Sequence, residues 1–291
     1  MSTFIFSVMK RTKRLWVQGP LALATAALFF TFGSKNTQPG EPLPPVAPVT
    51  KVSPDSVTVS ALPVSNGPPA IQPVAPIVVL HGPRNLKVLA LTFDACSTVA
   101  PSRYDEQITN VLIETKTPAT IFLGGRWMEE EPEHTRQLAS HPQFELANHT
   151  YSHPHLNALS DESIRSELVR TQNILDSLTG IRPTLFRPPF GEYDERVVHV
   201  AASVGLRTVQ FDLASGDPDP GFTEARLIRY VTSMAQNGSI IVMHINKRGW
   251  HTAGALPEII SRLRARGFTF VTVSQLLALT PAASQKEKAG D

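Results

Sequence analysis

Cysteine is nearly absent from this sequence, which contains one residue of that type, Cys96, among 291. A single thiol excludes an internal disulfide and any zinc site built from pairs of cysteines. Hydrophobic residues nevertheless make up 42% of the chain. That share supports a sizeable core and excludes a wholly disordered protein. The length allows one large domain or two small ones.

Charge is also scarce, at 18% of residues, and it is unevenly distributed along the chain. Residues 1–85 carry a net charge of +5, whereas the remainder carries −3. The basic balance therefore comes from the N-terminal part alone. A mildly acidic domain lacks the basic surface that a phosphate backbone attracts, so we expect no nucleic-acid partner.

The N-terminal segment, residues 1–34, combines a basic cluster with an apolar run of limited length. Four basic residues between positions 10 and 14 precede the run over residues 21–32. A charged region followed by about 7–15 apolar residues is the pattern of a secretory signal peptide. No clean cleavage motif follows, so an uncleaved membrane anchor stays open as the alternative. Both predict export, to the periplasm, to the outer side of a membrane or to the medium.

Proline is abundant rather than scarce, since the chain has 25 and 12 of them lie between residues 35 and 85. Such a stretch favours extended conformations and predicts a semi-rigid spacer without a fold of its own. A tether across a cell wall and a disordered linker both fit this composition. We therefore predict a folded domain over residues 86–279, followed by a polar tail over residues 280–291.

Within residues 86–279, short apolar segments rich in β-branched residues alternate with amphipathic ones. The predicted strands are residues 87–93, 119–123, 144–148, 184–186, 207–211, 239–243 and 269–273. Helical periodicity is clearest over residues 164–178, with Asp161 as candidate N-cap and Gly180 as the stop, and over residues 256–266. The alternation predicts an α/β fold with parallel pairing, a small or incomplete distorted (β/α) barrel. A doubly wound parallel sheet is the alternative.

Ionisable residues stand where the predicted strands end. They are Asp94, His149, His153, Arg187, Asp212, Asp217 and His244. In parallel β/α folds, active sites assemble at the carboxyl ends of the strands. One polar residue at a strand end is commonplace, but five strands that deliver ionisable groups to one rim predict an active site.

His149 and His153 form the predicted metal pair. Imidazole nitrogen suits zinc and related divalent ions, and two histidines close in sequence can converge on one ion. Pro154 directly follows the second histidine, so we expect a turn here rather than a long helix. Surface loop histidines without a metal are the alternative. The strand-end position favours a divalent metal, with zinc as the first candidate.

Five segments, in this order, resemble the motifs of the NodB-homology polysaccharide deacetylases. They are residues 90–96 (ALTFDAC), 148–153 (NHTYSH), 186–191 (FRPPFG), 211–217 (FDLASGD) and 241–244 (IVMH). Residues 255–277 resemble the closing segment of the family. The resemblance implies a metal-dependent enzyme on a distorted β/α barrel. It also implies an acetylated polysaccharide or oligosaccharide as substrate: chitin oligomers, peptidoglycan or acetylated xylan.

The resemblance implies an acid–base pair at two of the matched positions. Asp94 would be the general base that takes a proton from water, and Arg187 would hold and orient its carboxylate. His244 would be the general acid that protonates the leaving amine, and Asp217 would pair with it and tune its pKa. A carboxylate and a histidine with separated pKa values suit this chemistry.

The metal site departs from the family pattern. By the resemblance, His149 and His153 would be ligands, but the aspartate that usually supplies a further ligand is Ala95 here. Three replacements for this missing ligand are possible: direct coordination by Asp94, a thiolate from Cys96, or water. A lone cysteine beside a strand end is more often a small buried hydrophobe than a ligand. On the sequence alone, we expect that an aspartate at position 95 would tighten metal binding.

The sugar-binding surface also differs, because the tryptophan usual in the fourth motif is Pro218. Trp127, Phe190, Tyr193 and Trp250 could stack on sugar rings or pack within their loops. The leading hypothesis is an exported, metal-dependent deacetylase that acts on N-acetyl groups of GlcNAc-containing polymers or oligomers. The alternatives are a catalytically weak, glycan-binding member of the same fold and an O-acetyl esterase acting on xylan.

Overall fold

The computed structural model describes residues 72–98 and 102–279. The predicted signal peptide or anchor, most of the predicted spacer and the predicted tail lie outside these residues. Among the helices of the described part, none combines the length and the apolar character that crossing a bilayer requires.

The described residues form one parallel sheet of nine strands. The strands are β1 Val78–Val79, β2 Val88–Ala95, β3 Ala119–Leu123, β4 Phe144–Asn148, β5 Leu185–Phe186, β6 Arg207–Val209, β7 Leu213–Ala214, β8 Ile240–His244 and β9 Thr269–Phe270. Their order is β1-β6-β5-β4-β3-β2-β8-β7, and β9 pairs with the start of β2. Since β1 and β7 do not pair with each other, the described strands leave the barrel open.

Helices connect these parallel strands. They are α1 Glu106–Glu114, α2 Gly125–Glu130, α3 Pro132–Ser140, α4 Asp161–Thr179, α5 Glu195–Ser203, α6 Glu224–Met234, α7 Thr252–Ala265 and α8 Val273–Ala278. The N-cap of helix α4 is Ser160, whose hydroxyl accepts a hydrogen bond from the Ser163 N–H. The predicted cap, Asp161, is therefore the first helical residue. Gly180 ends α4 in the left-handed conformation, as predicted.

The strand order decides between the two predicted architectures. Strands β2 to β6 lie side by side in chain order without a reversal. A doubly wound sheet reverses its order part-way, which creates its switch point. The prediction of an incomplete (β/α) barrel is therefore confirmed, and the doubly wound alternative is wrong.

Strand β2 shows how the sheet sorts side chains between its two faces. Leu91, Phe93 and Ala95 belong to the large apolar cluster that the outer helices cover. Ala90 belongs to a second cluster on the inner face, which α8 covers at one end. Because side chains alternate along a strand, Asp94 shares the inner face with Ala90. The barrel interior therefore delivers Asp94 to the carboxyl rim.

The folded part begins earlier than predicted. Val78 and Val79 pair with β6, and the Gln210 N–H donates to the Val79 carbonyl over 2.8 Å. Further upstream, the Val74 N–H donates to the Ala202 carbonyl over 3.0 Å. Residues ahead of the predicted spacer boundary at residue 85 therefore contact the folded part. A strand of two residues between prolines carries no periodic pattern that would have predicted it.

Candidate active site

Asp94 lies near the end of β2 and is held by Arg187, the residue that follows β5. The Arg187 Nη1 donates to Asp94 Oδ1 over 2.7 Å, and its Nη2 donates to the Gln210 carbonyl over 3.3 Å. The guanidinium carbon lies 4.0 Å from the centre of the Phe122 ring. Arg187 is only 1% exposed, so it reaches Asp94 through the barrel interior. This contact fixes one carboxylate oxygen and leaves the other available.

The surrounding charges keep Asp94 ionised. Burial by itself would raise the pKa of its carboxyl group. The positive charge of Arg187, helped by that of His244 and by the hydrogen bond from Arg187, outweighs burial and holds the pKa below the ordinary value of 3.8. Asp94 is therefore a carboxylate at neutral pH, which is the form a general base requires.

His244 ends β8 directly opposite Asp94 in the register between β2 and β8. Its Nδ1 lies 2.9 Å from Asp217 Oδ1, and its backbone N–H donates to Asp217 Oδ2 over 2.7 Å. Asp217 also accepts hydrogen bonds from the Thr252 and Ser215 hydroxyls, over 2.7 and 3.0 Å. The buried Asp217 is thus saturated with donors and orients the imidazole.

Asp217 also changes the acidity of His244. Burial would lower the pKa of the imidazole, but the hydrogen bond and charge of Asp217 outweigh burial. The pKa of His244 therefore lies above the ordinary value of 6.5. Asp94 and His244 are neighbours across two strands, and their pKa values are shifted in opposite directions. That separation is what one base and one acid in the same site require.

His149 and His153 meet beside this pair. The His149 N–H at Nδ1 faces the Arg187 carbonyl, at 2.9 Å, and its Nε2 lies 3.7 Å from Asp94 Oδ2. The rings of His149 and His153 have their centres 5.0 Å apart. One donor atom each from Cys96, His149 and His153 lie within 4.8 Å of one another. The two predicted ligands therefore converge, and Cys96 joins them.

Both histidines are neutral without a metal, because burial disfavours their charged forms. Burial lowers the pKa of His149, and burial together with His149 lowers the pKa of His153 to about 3. Neutral imidazole is the form that binds metal. Nδ1 of His153 is buried and has no hydrogen-bond partner among the described residues. Burial raises the pKa of the Cys96 thiol to about 11, so a cation would have to displace its proton.

Backbone strain is concentrated around these histidines. Thr150, His153 and Phe190 have φ angles of 62°, 60° and 59°, in the left-handed region. Such conformations cost about 1–3 kcal/mol each and cluster at functional sites. The Phe190 ring lies against His153, with centres 4.5 Å apart, and stacks on His155 at 4.2 Å. Two strained loops, one after β4 and one after β5, thereby place His153 and the Phe190 ring side by side at the rim.

The structure brings six of the seven strand-end residues together and leaves one out. Asp212 accepts hydrogen bonds from the Ile240 N–H, over 2.7 Å, and from Arg84, over 2.9 Å. Ile240 is the first residue of β8, so Asp212 lies at the opposite end of the sheet. Its inclusion in the predicted rim was wrong, because the chain makes the short strand β7 only after Asp212.

Of the four aromatic residues, two are strongly exposed. Phe190 is 55% exposed and Trp250 is 61% exposed, whereas Trp127 is fully buried in the core. The backbone N–H of Trp250 donates to the Asp217 carbonyl over 3.1 Å, and this bond places the Trp250 loop beside His244. Packing is thus the correct interpretation for Trp127, and the three exposed rings, including Tyr193 with 37% exposure, remain candidates for sugar contacts.

Known proteins share both the sequence and the fold. The family model described as polysaccharide deacetylase matches residues 81–209. A peptidoglycan-N-acetylglucosamine deacetylase from Bacillus cereus is 31% identical over 198 residues, which are 67% of this chain and 70% of that protein. The chain belongs to the polysaccharide deacetylase family. The resemblance identified from five motifs is therefore confirmed, and the family includes hydrolases that act on acetylated glycans.

Two solved structures extend the comparison of this deacetylase-family protein. A peptidoglycan N-acetylglucosamine deacetylase bound to an N-hydroxybenzamide compound superposes with a TM-score of 0.64, at 28% identity over 70% of this chain and 94% of that chain. A CE4 family pseudoenzyme from Bacillus anthracis superposes with a TM-score of 0.63, at 25% identity over 71% of each chain. A mutant of that pseudoenzyme has restored enzymatic activity. The family therefore includes both active members and a member described as inactive.

Proposed function

We propose that this protein is an exported, metal-dependent deacetylase that hydrolyses N-acetyl groups of GlcNAc-containing glycans, with peptidoglycan as the first candidate. One observation carries the proposal. Asp94 and His244 face each other on neighbouring strands, each held by its own buried partner, and their pKa values are shifted in opposite directions. A protein that only bound glycan would not need both a base and an acid.

The donor set of the site fits a divalent cation. His149 and His153 are neutral, and His153 has a buried ring nitrogen without a hydrogen-bond partner among the described residues. These two imidazoles would hold the ion. When bound there, a divalent ion supplies Lewis-acid polarisation of the acetyl carbonyl and makes water more acidic.

The residues of this chain move the protons. Asp94, held by Arg187, accepts a proton from the water that attacks the carbonyl carbon of the acetyl group. His244 donates a proton to the nitrogen as the carbon–nitrogen bond breaks, so that acetate and a free amine leave. Asp217 accepts the hydrogen bond from Nδ1 of His244 and thereby leaves Nε2 to face the substrate. One proton is taken from water and one is delivered to the amine, so the reaction balances.

The substrate side of the proposal rests on the rim. Phe190 and Trp250 are exposed aromatic side chains on the loops that carry the third motif and follow His244. Aromatic faces stack on the apolar faces of sugar rings, and exposed rings beside a site suit a polymer better than a small metabolite. Relatives that are named as peptidoglycan deacetylases support a cell-wall glycan.

Deacetylation assays on three substrates test the proposal. We expect acetate release from peptidoglycan or chitopentaose and much less from acetylated xylan. A chelator should abolish the release, and added zinc should restore it. Release from xylan alone would instead make the protein an O-acetyl esterase.

A specific observation favours a second candidate function, a glycan-binding member with little turnover. Ala95 stands where the family usually has an acidic ligand, and the pseudoenzyme of Bacillus anthracis shares the fold. Glycan binding without acetate release, in a sample shown to contain metal, would support this second function and overturn the first.

Export is the part of the proposal that rests on the N-terminal segment. Residues 1–34 carry the basic and apolar pattern of a signal peptide or anchor, and a peptidoglycan substrate lies outside the cytoplasm. Fractionation of cells that express the full chain should recover it from the membrane or from outside the cytoplasm. Removal of residues 1–34 should leave it in the cytoplasm.

A further inference from the structure

Alternation along β2 selects which residue can replace the missing carboxylate. Strand β2 runs through Ala95, whose side chain is fully buried in the outer apolar cluster with Leu91 and Phe93. Side chains two residues apart in a strand lie on the same face. The Cys96 side chain therefore lies on the same face of the sheet as the Asp94 side chain, whereas the side chain at position 95 points away from the site.

Cys96 lies where a third ligand is needed. Its donor atom and one from each of His149 and His153 lie within 4.8 Å of one another. Asp94 is not a member of this group, and Arg187 already occupies its Oδ1. Direct coordination by Asp94 would withdraw the carboxylate from the base role. The thiol is therefore the better placed of the two protein candidates.

A buried amide positions the cysteine. Asn246 is 1% exposed, and its Nδ2 donates to the Cys96 carbonyl over 2.8 Å and lies 3.6 Å from Cys96 Sγ. Asn246 follows His244 by two residues, so the loop after β8 holds both the acid and the thiol. A donor directed at sulfur favours a thiolate over a neutral thiol, and partners of this kind orient metal ligands.

We propose that Cys96 is the third protein ligand of the metal, so that a thiolate and two imidazoles form the centre in place of a carboxylate and two imidazoles. On binding, the thiol proton passes to solvent and a sulfur–metal bond forms. Thiolate and imidazole suit zinc and cobalt, whereas magnesium and manganese prefer oxygen ligands. The centre should therefore select zinc. This inference deepens the proposed function, because it rests on the same metal site.

Cobalt(II) substitution tests the bond directly in the full-length protein. A thiolate ligand gives cobalt an intense charge-transfer absorption in the near ultraviolet that imidazole and carboxylate ligands do not give. We expect this band in the wild type and its loss in Cys96→Ser. We also expect Cys96→Ser to weaken zinc binding by at least about 10-fold, the lower end of what even an outer partner contributes. His199→Ala, which removes an exposed histidine of α5, is the matched control and should keep the band.

Thiol protection provides a second measurement that needs no variant. Because Cys96 is the single cysteine of the chain, the rate at which the folded protein is alkylated reports on one thiol. Zinc should slow alkylation of the folded protein at least about 10-fold, whereas magnesium should leave it unchanged. Equal rates with and without bound zinc would overturn the proposal even if Cys96→Ser failed to fold.

The outcomes separate this inference from the proposed function. Cobalt bound without the ultraviolet band, or unchanged zinc affinity in a folded Cys96→Ser, would remove Cys96 from the centre while acetate release could persist. A thiolate–cobalt band without turnover of any glycan would support Cys96 as a ligand and count against the deacetylase.

Discussion

The charge of Asp94 is the property that the proposed base needs, and Asp94→Asn removes it with little change in shape. We expect turnover on the true substrate to fall roughly 10²–10⁴-fold, the usual contribution of a general base. Metal content should stay close to that of the wild type. Initial rates of acetate release, with zinc content measured in the same samples, check this expectation.

Asp212→Asn is the matched control for that variant, because Asp212 is a carboxylate at the other end of the sheet. It should lower the melting temperature, since Asp212 accepts hydrogen bonds from β8 and from Arg84. The turnover of the folded protein should not change. An Asp94→Asn protein with near wild-type turnover would reject Asp94 as the base.

We expect Asp217 to set the upper pH limit of activity. His244 must be protonated to act as an acid, so turnover should fall as pH rises through a pKa that lies above 6.5. Asp217→Asn removes the charge that raises this pKa and leaves burial, which lowers it. The alkaline limb of the rate profile should therefore move to lower pH. If both proteins lose activity at the same alkaline pH, that limb belongs to another group.

Ala95 is the position at which the structure changes an expectation drawn from the sequence. An aspartate there was expected to tighten metal binding, but the side chain points into the outer apolar cluster. Burying a polar group without a partner costs about 2 kcal/mol or more. We therefore expect Ala95→Asp to melt about 4–8 °C lower without binding zinc more tightly.

Melting curves of the metal-free proteins and competition with a chelator measure both quantities for Ala95→Asp. Ala95→Ser, which adds a smaller polar group, is the control and should lose less stability. A gain of 10-fold or more in zinc affinity would mean that the end of β2 can rotate and that the sequence-based expectation was correct.

The six residues proposed for catalysis and metal binding could be predicted because each one ends a strand or belongs to a motif. The other side chains that form hydrogen bonds to these six residues and to Cys96 could not be predicted from the sequence. Ser215 and Thr252 donate to Asp217, and Asn246 contacts Cys96, all from loops that have no periodic pattern. Hydroxyl and amide side chains are common in loops, so the sequence does not show which of them contact the site.

The loop between β8 and α7 is the element that shapes the acid side of the site. A Cβ atom added at Gly249 would lie 2.6 Å from Asp217 Oδ2 and 2.7 Å from the His244 carbonyl oxygen. Real Cβ atoms do not approach backbone so closely, so the loop would have to move. Gly249→Ala should therefore disturb the Asp217–His244 contact and lower turnover at least 10-fold, a loss typical of misplaced catalytic groups.

Gly180→Ala is the control for Gly249→Ala, since Gly180 caps α4 with φ 72° and has open space around it. It should cost only the left-handed strain of about 1–2 kcal/mol and leave turnover unchanged. Thermal melting and initial rates for both variants separate the two effects. Equal turnover in Gly249→Ala and wild type would show that the loop tolerates displacement.

Element boundaries were predictable where local sequence defines them. Helix α4 has nineteen residues, an apolar stripe, a hydroxyl cap and a terminal glycine, so its pattern is long enough to be recognised. Strands β1 and β7 have two residues each and exist only through pairing with β6 and β8. Their formation depends on distant partners, which a local pattern does not contain.

At the scale of the whole molecule, alternation of strands and helices was enough to predict a parallel sheet. It was not enough to choose between a barrel and a doubly wound sheet, because both give the same local pattern. The choice depends on which strands become neighbours, and only the order β2 to β6 without reversal decides it. The five ordered motifs supplied the same answer through the family resemblance.

The start of the folded domain lies before the boundary that the sequence predicts. The sequence predicts a fold that begins near residue 86, whereas residues from Val74 to Arg84 already make hydrogen bonds to the rest of the domain. Val79 pairs in β1 with 8% exposure, and Arg84 donates to Asp212. A protein that begins at residue 72 should therefore be more stable than one that begins at residue 86.

We expect the protein that begins at residue 86 to melt at least about 3 °C lower than the one that begins at residue 72. Burial of one valine contributes about 1.5–3 kcal/mol, and 1 kcal/mol corresponds to about 2–4 °C at this size. Limited proteolysis of the full chain should likewise give a fragment whose N-terminus lies before Val78. Equal melting temperatures, or a stable fragment that begins after residue 84, would show that β1 adds nothing to the fold. In that case the boundary predicted from the sequence would be the correct one.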